Sequence, residues 1–257
     1  MLRSLALALS FLTRIPVRTG EVAPHEPAAS LASFPVVGAL IGALLWALQL
    51  VLTPHLGTWL SAFVLVVSSA LITGALHLDG VADLCDAFGG GRGDRGRMLE
   101  IMRDPRIGAH GATGLMLVLA GKLIATHELL GRGSALSWTW AIAFAPVWAR
   151  FVCVLAIKAF SYARPSGLGL AFHVHARTRH VLLAALPTLL CGLWLLRQGV
   201  APSLLASALG VSAALCLLLA LRVHRLLGGI TGDVHGASIE LCELLVLIAA
   251  GVRGLHL

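Results

Sequence analysis

Of the chain's 257 residues, 58% are hydrophobic and 12% are charged, against about 25% charged in an ordinary soluble domain. That balance excludes a mostly wetted surface and makes lipid the solvent for much of the chain. The net charge of +7 points to loops facing anionic headgroups or phosphorylated substrates, and no nucleic-acid partner is expected in so apolar a chain.

Residues 1–18 open with Arg3 and the run LALALSFL, with no small-residue cleavage site following, which predicts a retained interfacial or re-entrant helix. A bilayer core needs about 20 apolar residues in helical form. The candidate spans are Phe34–Thr53, Gly57–Leu76, Gly111–His127, Ala135–Phe160, Val181–Leu196, Ser203–Leu221 and Ile239–Val252. The expectation is therefore an all-α, polytopic transmembrane bundle of about seven spans, forming one integral membrane domain over residues 1–257. Gly38 and Gly42 make a GxxxG, read as a packing feature. Five cysteines (85, 153, 191, 216 and 242) form no CxxC pair, so neither a disulfide framework nor a zinc site is predicted.

With the N-terminus in the cytoplasm, thirteen Arg fall on that side and three on the other, while Lys122, Arg150 and Lys158 lie within spans. This positive-inside bias places residues 77–110, 161–180 and 222–237 on the cytoplasmic face. The connector 77–110 is long for a simple link, and a connector of that length is expected to carry function.

Six of the twelve acidic residues lie between Asp79 and Asp104, and Asp233, Glu240 and Glu243 lie near the C-terminus. Asp79, Asp83 and Asp86 stand at i, i+4 and i+7, within about 60° of one another on a helix. Three carboxylates on one stripe repel unless a cation lies among them, and an all-oxygen set suits Mg²⁺ or Mn²⁺. A solvated acidic face is the plainer reading of the same stripe. Gly89–Gly91 followed by Arg92, Arg95 and Arg97 resembles a phosphate-binding turn. Glu100, Arg103 and Asp104 share a helix face, with Arg106 after Pro105, which fits either an anionic ligand or a local salt-bridge network.

The second segment, GGITGDVHGASIELCE from Gly228, requires a tight bend, and its acids cannot face lipid without a cost of about 2.5–3.5 kcal/mol each. His173, His175, His180 and His224 read as ordinary loop residues. No Ser/His/Asp triad, Walker loop or Rossmann fingerprint is present. Carboxylates, arginines and Gly-rich turns at a membrane surface point to transfer of a phosphoryl-linked group from a nucleotide-activated donor to an alcohol.

Five ordered motifs then give the sequence a likeness: FLTRIPV (11–17), HLDGVADLCDAFGG (77–90), MLEIMRDPRIGAHG (98–111), YARPSGLG (162–169) and GGITGDVHGASIELCE (228–243). Together they resemble the cobalamin synthase family, the adenosylcobinamide-GDP ribazoletransferases. The resemblance implies a multi-pass enzyme of the cell inner membrane that joins adenosylcobinamide-GDP to α-ribazole or its 5′-phosphate, releases GMP and requires Mg²⁺, with its site facing the cytoplasm. Motif by motif it implies Asp83, Asp104 and Asp233 as catalytic, and Asp79, Asp83 and Asp86 as metal ligands. Arg14, Arg103, Arg106, Arg164, Thr231 and Glu240 become substrate and phosphate binders. Asp94 and His235 receive no necessary role. A homo-oligomer, or association with other corrinoid-pathway enzymes, is compatible with the family. The DG-x₂-D-x₂-D pattern is also similar to that of CDP-alcohol phosphotransferases, which leaves a lipid-headgroup transferase as the alternative. A transporter would instead place its acids in the middle of spans.

Overall fold

The computed structural model describes residues 2–133 and 135–252, so Arg253, one of the three arginines counted opposite the site, lies outside the described residues. The described residues are predominantly helical, as the composition predicts. The helices are α1 (Leu2–Leu12), α2 (Glu26–Ser30), α3 (Phe34–Thr73), α4 (Leu76–Gly91), α5 (Arg95–Ile101), α6 (Ala109–Leu130), α7 (Leu136–Ala159), α8 (Leu168–His175), α9 (Thr178–Arg197), α10 (Pro202–Leu227) and α11 (Gly232–Gly251). Extended pairing among the described residues is confined to one bridge between Tyr162 and Ile230.

Six helices are long and apolar enough to cross a membrane, and the first of them, α3, is two passes. Gly57 has φ 68°, a left-handed conformation that glycine adopts at little cost, and Pro54 just before it lacks an amide donor. The chain folds back there. The Phe11 and Phe34 rings stack at 6.1 Å while the Arg14 amide donates to the Ile72 carbonyl, so both ends of α3 lie at the same end of the bundle. Seven passes result, as the hydropathy predicts. The second stops at Thr73, because Gly74 and Ala75 both take left-handed conformations before α4 begins. α1, at 11 residues, is about 16 Å long and too short for a core of about 30 Å. It ends at Leu12, and residues 13–18 are irregular.

Small residues let the passes meet closely. A Cβ on Gly38 would overlap the Pro146 backbone, and one on Gly42 the Ala143 carbonyl, so the GxxxG seats α3 against α7. The outer side of α9 exposes Leu182, Leu186, Leu189 and Leu193, as a lipid-facing surface does. Alternation of the passes brings residues 2–33, 74–108, 160–177 and 228–231 to one end of the bundle.

Two sequence readings change here. The connector 77–110 is mostly helical, and Gly89–Gly91 close α4 instead of forming a phosphate-binding turn. A Cβ at Gly89 would overlap the His110 ring, and one at Gly91 the Met98 side chain; the glycines admit neighbouring helices. The last pass begins at Gly232, seven residues before the expected start, so Glu240 and Glu243 are not in its first turns. They lie well inside the bundle with Lys122 and Arg150. Lys122 Nζ contacts Glu240 and lies 2.7 Å from Glu243 Oε2, and Arg150 pairs with the other Glu243 oxygen. All four residues are at most 5% exposed, and two cations balance two anions.

Candidate active site

The site is built where α4 crosses α11. A Cβ on Gly80 would overlap the Asp233 carbonyl oxygen, and one on Gly236 would lie 3.1 Å from the His77 Cα. Two missing side chains thus bring the backbones into contact and turn Asp79 and Asp83 of α4 toward Asp233 of α11. Gly80→Ala is expected to force the crossing apart and lower turnover by at least about tenfold, overpacking of this kind costing about 1–3 kcal/mol. Wild-type turnover and thermal midpoint in that variant would show that the close crossing does not set the site.

The start of α11 is fixed from two directions. Gly228 (φ 69°) ends α10, and Gly229 must lack a side chain because residues 162–163 pass against it. The Ile230 amide donates to the Ser161 carbonyl at 2.8 Å, and the Ala163 amide to the Ile230 carbonyl at 2.9 Å. Thr231 then caps α11, its hydroxyl accepting from the Val234 amide at 3.5 Å and donating to Asp233 Oδ2 at 3.1 Å. This clasp delivers Arg164, whose Nη2 donates to Asp233 Oδ2 at 2.7 Å.

Two chambers meet at Asp79 and Asp233, which line both. The first, of about 510 Å³, adds Asp83, Arg103, Asp104 and Arg106, with Leu115 and Leu119 of α6 on its apolar side. The second, of about 460 Å³, adds Arg14, His77, Tyr162, Arg164, His173 and His235 and a floor of Phe11, Phe34 and Phe172. The Asp83 carboxyl is pushed up to about 7, first by burial and then by the carboxylates of Asp233 and Asp79. Burial pushes His77 down to about 3, so its 4.0 Å approach to Glu240 is not an ion pair.

Several expected site residues are placed differently. Asp86 turns away from the metal set: its two oxygens accept from the Gly108 amide at 2.7 Å and the Gly111 amide at 2.8 Å, anchoring the start of α6. Glu240 is buried against Lys122 and lines neither chamber, so its role is to hold α11 to α6. Asp104 is half-buried beyond the end of α5, and Arg106 donates to it from its amide and its guanidinium. Those hydrogen bonds pull the Asp104 carboxyl down to about 2, which disfavours it as a base. Arg103 and Asp104 follow the last turn of α5, so the helix face expected to join them with Glu100 does not form. Arg95 donates to the carbonyls of Leu227 and Ala163 and clamps α5 to the clasp. Asp94 caps α5 by accepting from the Arg97 amide.

The chain belongs to the cobalamin-5-phosphate synthase family. That family's model matches residues 4–251. Adenosylcobinamide-GDP ribazoletransferases are similar over nearly full length. The Pseudomonas aeruginosa protein is 42% identical, over 96% of this chain and 97% of its own. The Klebsiella pneumoniae protein is 39% identical, over 97% and 99%, and that of Desulfitobacterium hafniense 38%, over 97% and 96%. No solved structure matches.

Among the described residues, no group of three or more His, Cys, Asp or Glu side chains stands converged on a single metal position. The donor chemistry of the junction still fits a hard divalent cation. Asp79, Asp83 and Asp233 all line the first chamber, which gives it three carboxylates, and hard oxygen donors of this kind suit such an ion. Asp233, which arrives from another helix, lines that chamber beside Asp79 and Asp83, and Asp86 does not line it.

In sequence, His77 and His235 adjoin the two acidic segments and could assist the site, whereas His173 reads as a loop residue; all three line the second chamber. His173 and His235 approach at 3.0 Å between Nε2 atoms, and His173 Nδ1 lies 3.0 Å from the Phe160 carbonyl. They are far apart in sequence and on different helices, so no local spacing announces them.

Proposed function

We propose that this chain joins adenosylcobinamide-GDP to α-ribazole or α-ribazole 5′-phosphate and releases GMP, completing the nucleotide loop of cobalamin. The observation that carries this reading is the meeting of two chambers at Asp79 and Asp233. Arginines lie on both sides, in a chain whose relatives bear the name of that transferase. In the reaction an acceptor hydroxyl oxygen bonds to the phosphorus that carries the cobinamide ester. The bond from that phosphorus to the bridging oxygen breaks, and GMP departs with the electron pair. Arg103 and Arg106 bind non-bridging oxygens, which requires Arg106 to exchange Asp104 for substrate. A carboxylate at this junction that is not holding the metal would accept the hydroxyl proton.

Mg²⁺ would be held by Asp79, Asp83 and Asp233 and, when bound, would neutralise the pyrophosphate and the leaving GMP. The membrane is the cell inner membrane and the site faces the cytoplasm. The support for that orientation is the concentration of arginines at the site end of the bundle.

Metal ligands must be deprotonated to bind. With Asp83 raised to about 7, it is protonated below that pH and a carboxylate above it. The Mg²⁺ concentration giving half-maximal GMP release is therefore expected to fall several-fold between about pH 6 and pH 8, in line with a single titrating ligand. A requirement independent of pH, or no requirement for a divalent ion, would contradict the assignment.

A further inference from the structure

The two chambers differ in chemistry as well as position. None of the residues lining the first carries an aromatic or imidazole ring; its walls are carboxylates, arginines and aliphatic side chains. The second is walled by rings. Phe172 lies 4.6 Å from Phe11 and 5.8 Å from Phe34, centroid to centroid. The Tyr162 and His235 rings each stand 5.2 Å from His173.

The hydrogen bonds fix what those rings offer. The Phe160 carbonyl can only accept, so His173 carries its proton on Nδ1. Its Nε2 then accepts from His235, whose proton lies on Nε2. His235 Nδ1 is left as a bare acceptor. It has no hydrogen-bond partner among the described residues, in a residue only 9% exposed. His77, in the same wall, turns its Nδ1 toward the buried Glu240 carboxylate 4.0 Å away, so His235 Nδ1 is the acceptor that bears on the chamber. A buried acceptor of this kind calls for a donor from a ligand.

We propose that the ring-walled chamber receives the nucleoside acceptor, its base among the aromatic rings and a ribose hydroxyl donating to His235 Nδ1. The first chamber receives the pyrophosphate of the donor. This assignment rests on the function proposed above and adds to it which substrate enters where. Size permits it: at about 460 Å³ the second chamber, like the first at about 510 Å³, falls in the range of ~300–1,000 Å³ that takes a compact ligand. A corrinoid joined to a nucleotide is far larger and must extend beyond either chamber; from the first it can do so past Arg103, Pro105, Arg106 and Ile107, which are exposed. The acceptor oxygen and the leaving GMP then approach the phosphorus from different chambers, as an in-line displacement needs.

The test is a pair of Michaelis constants, measured on full-length protein in nanodiscs with each substrate varied in turn. His235→Phe keeps a ring and removes the acceptor atom; Phe172→Leu keeps apolar bulk and removes the stack. Each is expected to raise KM for α-ribazole about tenfold, the scale of one lost hydrogen bond for His235→Phe and of one lost base-stacking contact for Phe172→Leu, with KM for adenosylcobinamide-GDP changed less than about twofold. Arg106→Ala, at an exposed position, is expected to give the opposite split. Binding of α-ribazole alone, followed by calorimetry, should weaken in His235→Phe and be unaffected in Arg106→Ala. A donor-side rise in KM for the two ring variants, or equal effects on both substrates, would overturn the assignment of chambers. Wild-type protein that releases no GMP from the substrate pair would instead remove the functional reading, and this assignment with it.

Discussion

Asp83→Asn is expected to reduce GMP release by at least about 10²-fold, the scale of a lost ionic or proton-transferring group at a reacting centre, while the protein inserts and folds normally. The separation of effects follows from where the side chain stands. Among the described residues the Asp83 carboxyl has no hydrogen-bond or ion-pair partner; burial and the carboxylates of Asp233, Asp79 and Asp86 outweigh the attraction of the Arg164 guanidinium. Its pKa is raised from the ordinary 3.8 to about 7. The ionised group therefore weighs against the folded state above the unfolded pKa, and fully so once the pH exceeds about 7. The amide removes that penalty, so the thermal midpoint should be unchanged or higher in neutral buffer. Asp86→Asn is the informative companion. There a carboxylate anchoring the start of α6 loses an accepting oxygen, at a cost of about 1 kcal/mol, and turnover should survive in the fraction that remains folded. Near-normal turnover in Asp83→Asn, or equal loss in both variants, would show that the metal set is not Asp79, Asp83 and Asp233.

Glu243→Ala should be the most destabilising single change in the bundle. Glu243 is the hub of the buried network, touching both Lys122 and Arg150, and its removal leaves two buried cations with one anion. Breaking a buried pair from one side typically costs about 3–5 kcal/mol, a large fraction of the ~5–15 kcal/mol that holds a domain folded. Little protein should reach the detergent-extracted, monodisperse pool. The triple replacement of Glu243, Lys122 and Arg150 by apolar residues of similar volume, which leaves Glu240 as a single buried acid, should recover part of the yield but not all of it. If Glu243→Ala accumulates and melts like the wild type, the network contributes no stability and its charges need another explanation.

These two results concern features that the sequence exposes to different degrees. The seven passes are legible because apolar length is a one-dimensional property, and even the fold-back at Gly57 is marked by Pro54 and a glycine. The i, i+4, i+7 stripe of α4 is legible for the same reason: helical spacing alone sets its face. Which of those three acids serves the site is not legible, since Asp86 is claimed by amides 22 and 25 residues away and Asp233 arrives from another helix. Gly89–Gly91 mislead because glycine marks close approach as readily as a turn; the bulk of His110 and Met98 against them decides the case. Asp104 and Arg106 looked like one acid and one phosphate binder, and their proximity makes them each other's partner until a substrate separates them.

The buried network was half visible. Lys122 and Arg150 stand inside apolar runs that also contain Glu240 and Glu243 on another pass, and charges within a membrane pair with one another. Charge balance alone matches Lys122 and Arg150 with the two glutamates. The His173–His235 pair had no such signal. Its meaning depends on a tautomer set by the Phe160 carbonyl, a main-chain atom 13 residues from His173.

The most direct measurement is product formation by the purified full-length protein in nanodiscs with Mg²⁺, given adenosylcobinamide-GDP and α-ribazole, and separately CDP-diacylglycerol and a polyol. One GMP released for each corrinoid that acquires the ribazole nucleotide, with neither product when either substrate is omitted, is the predicted result. Product from the lipid pair alone, or GMP released without a corrinoid product, would contradict the account.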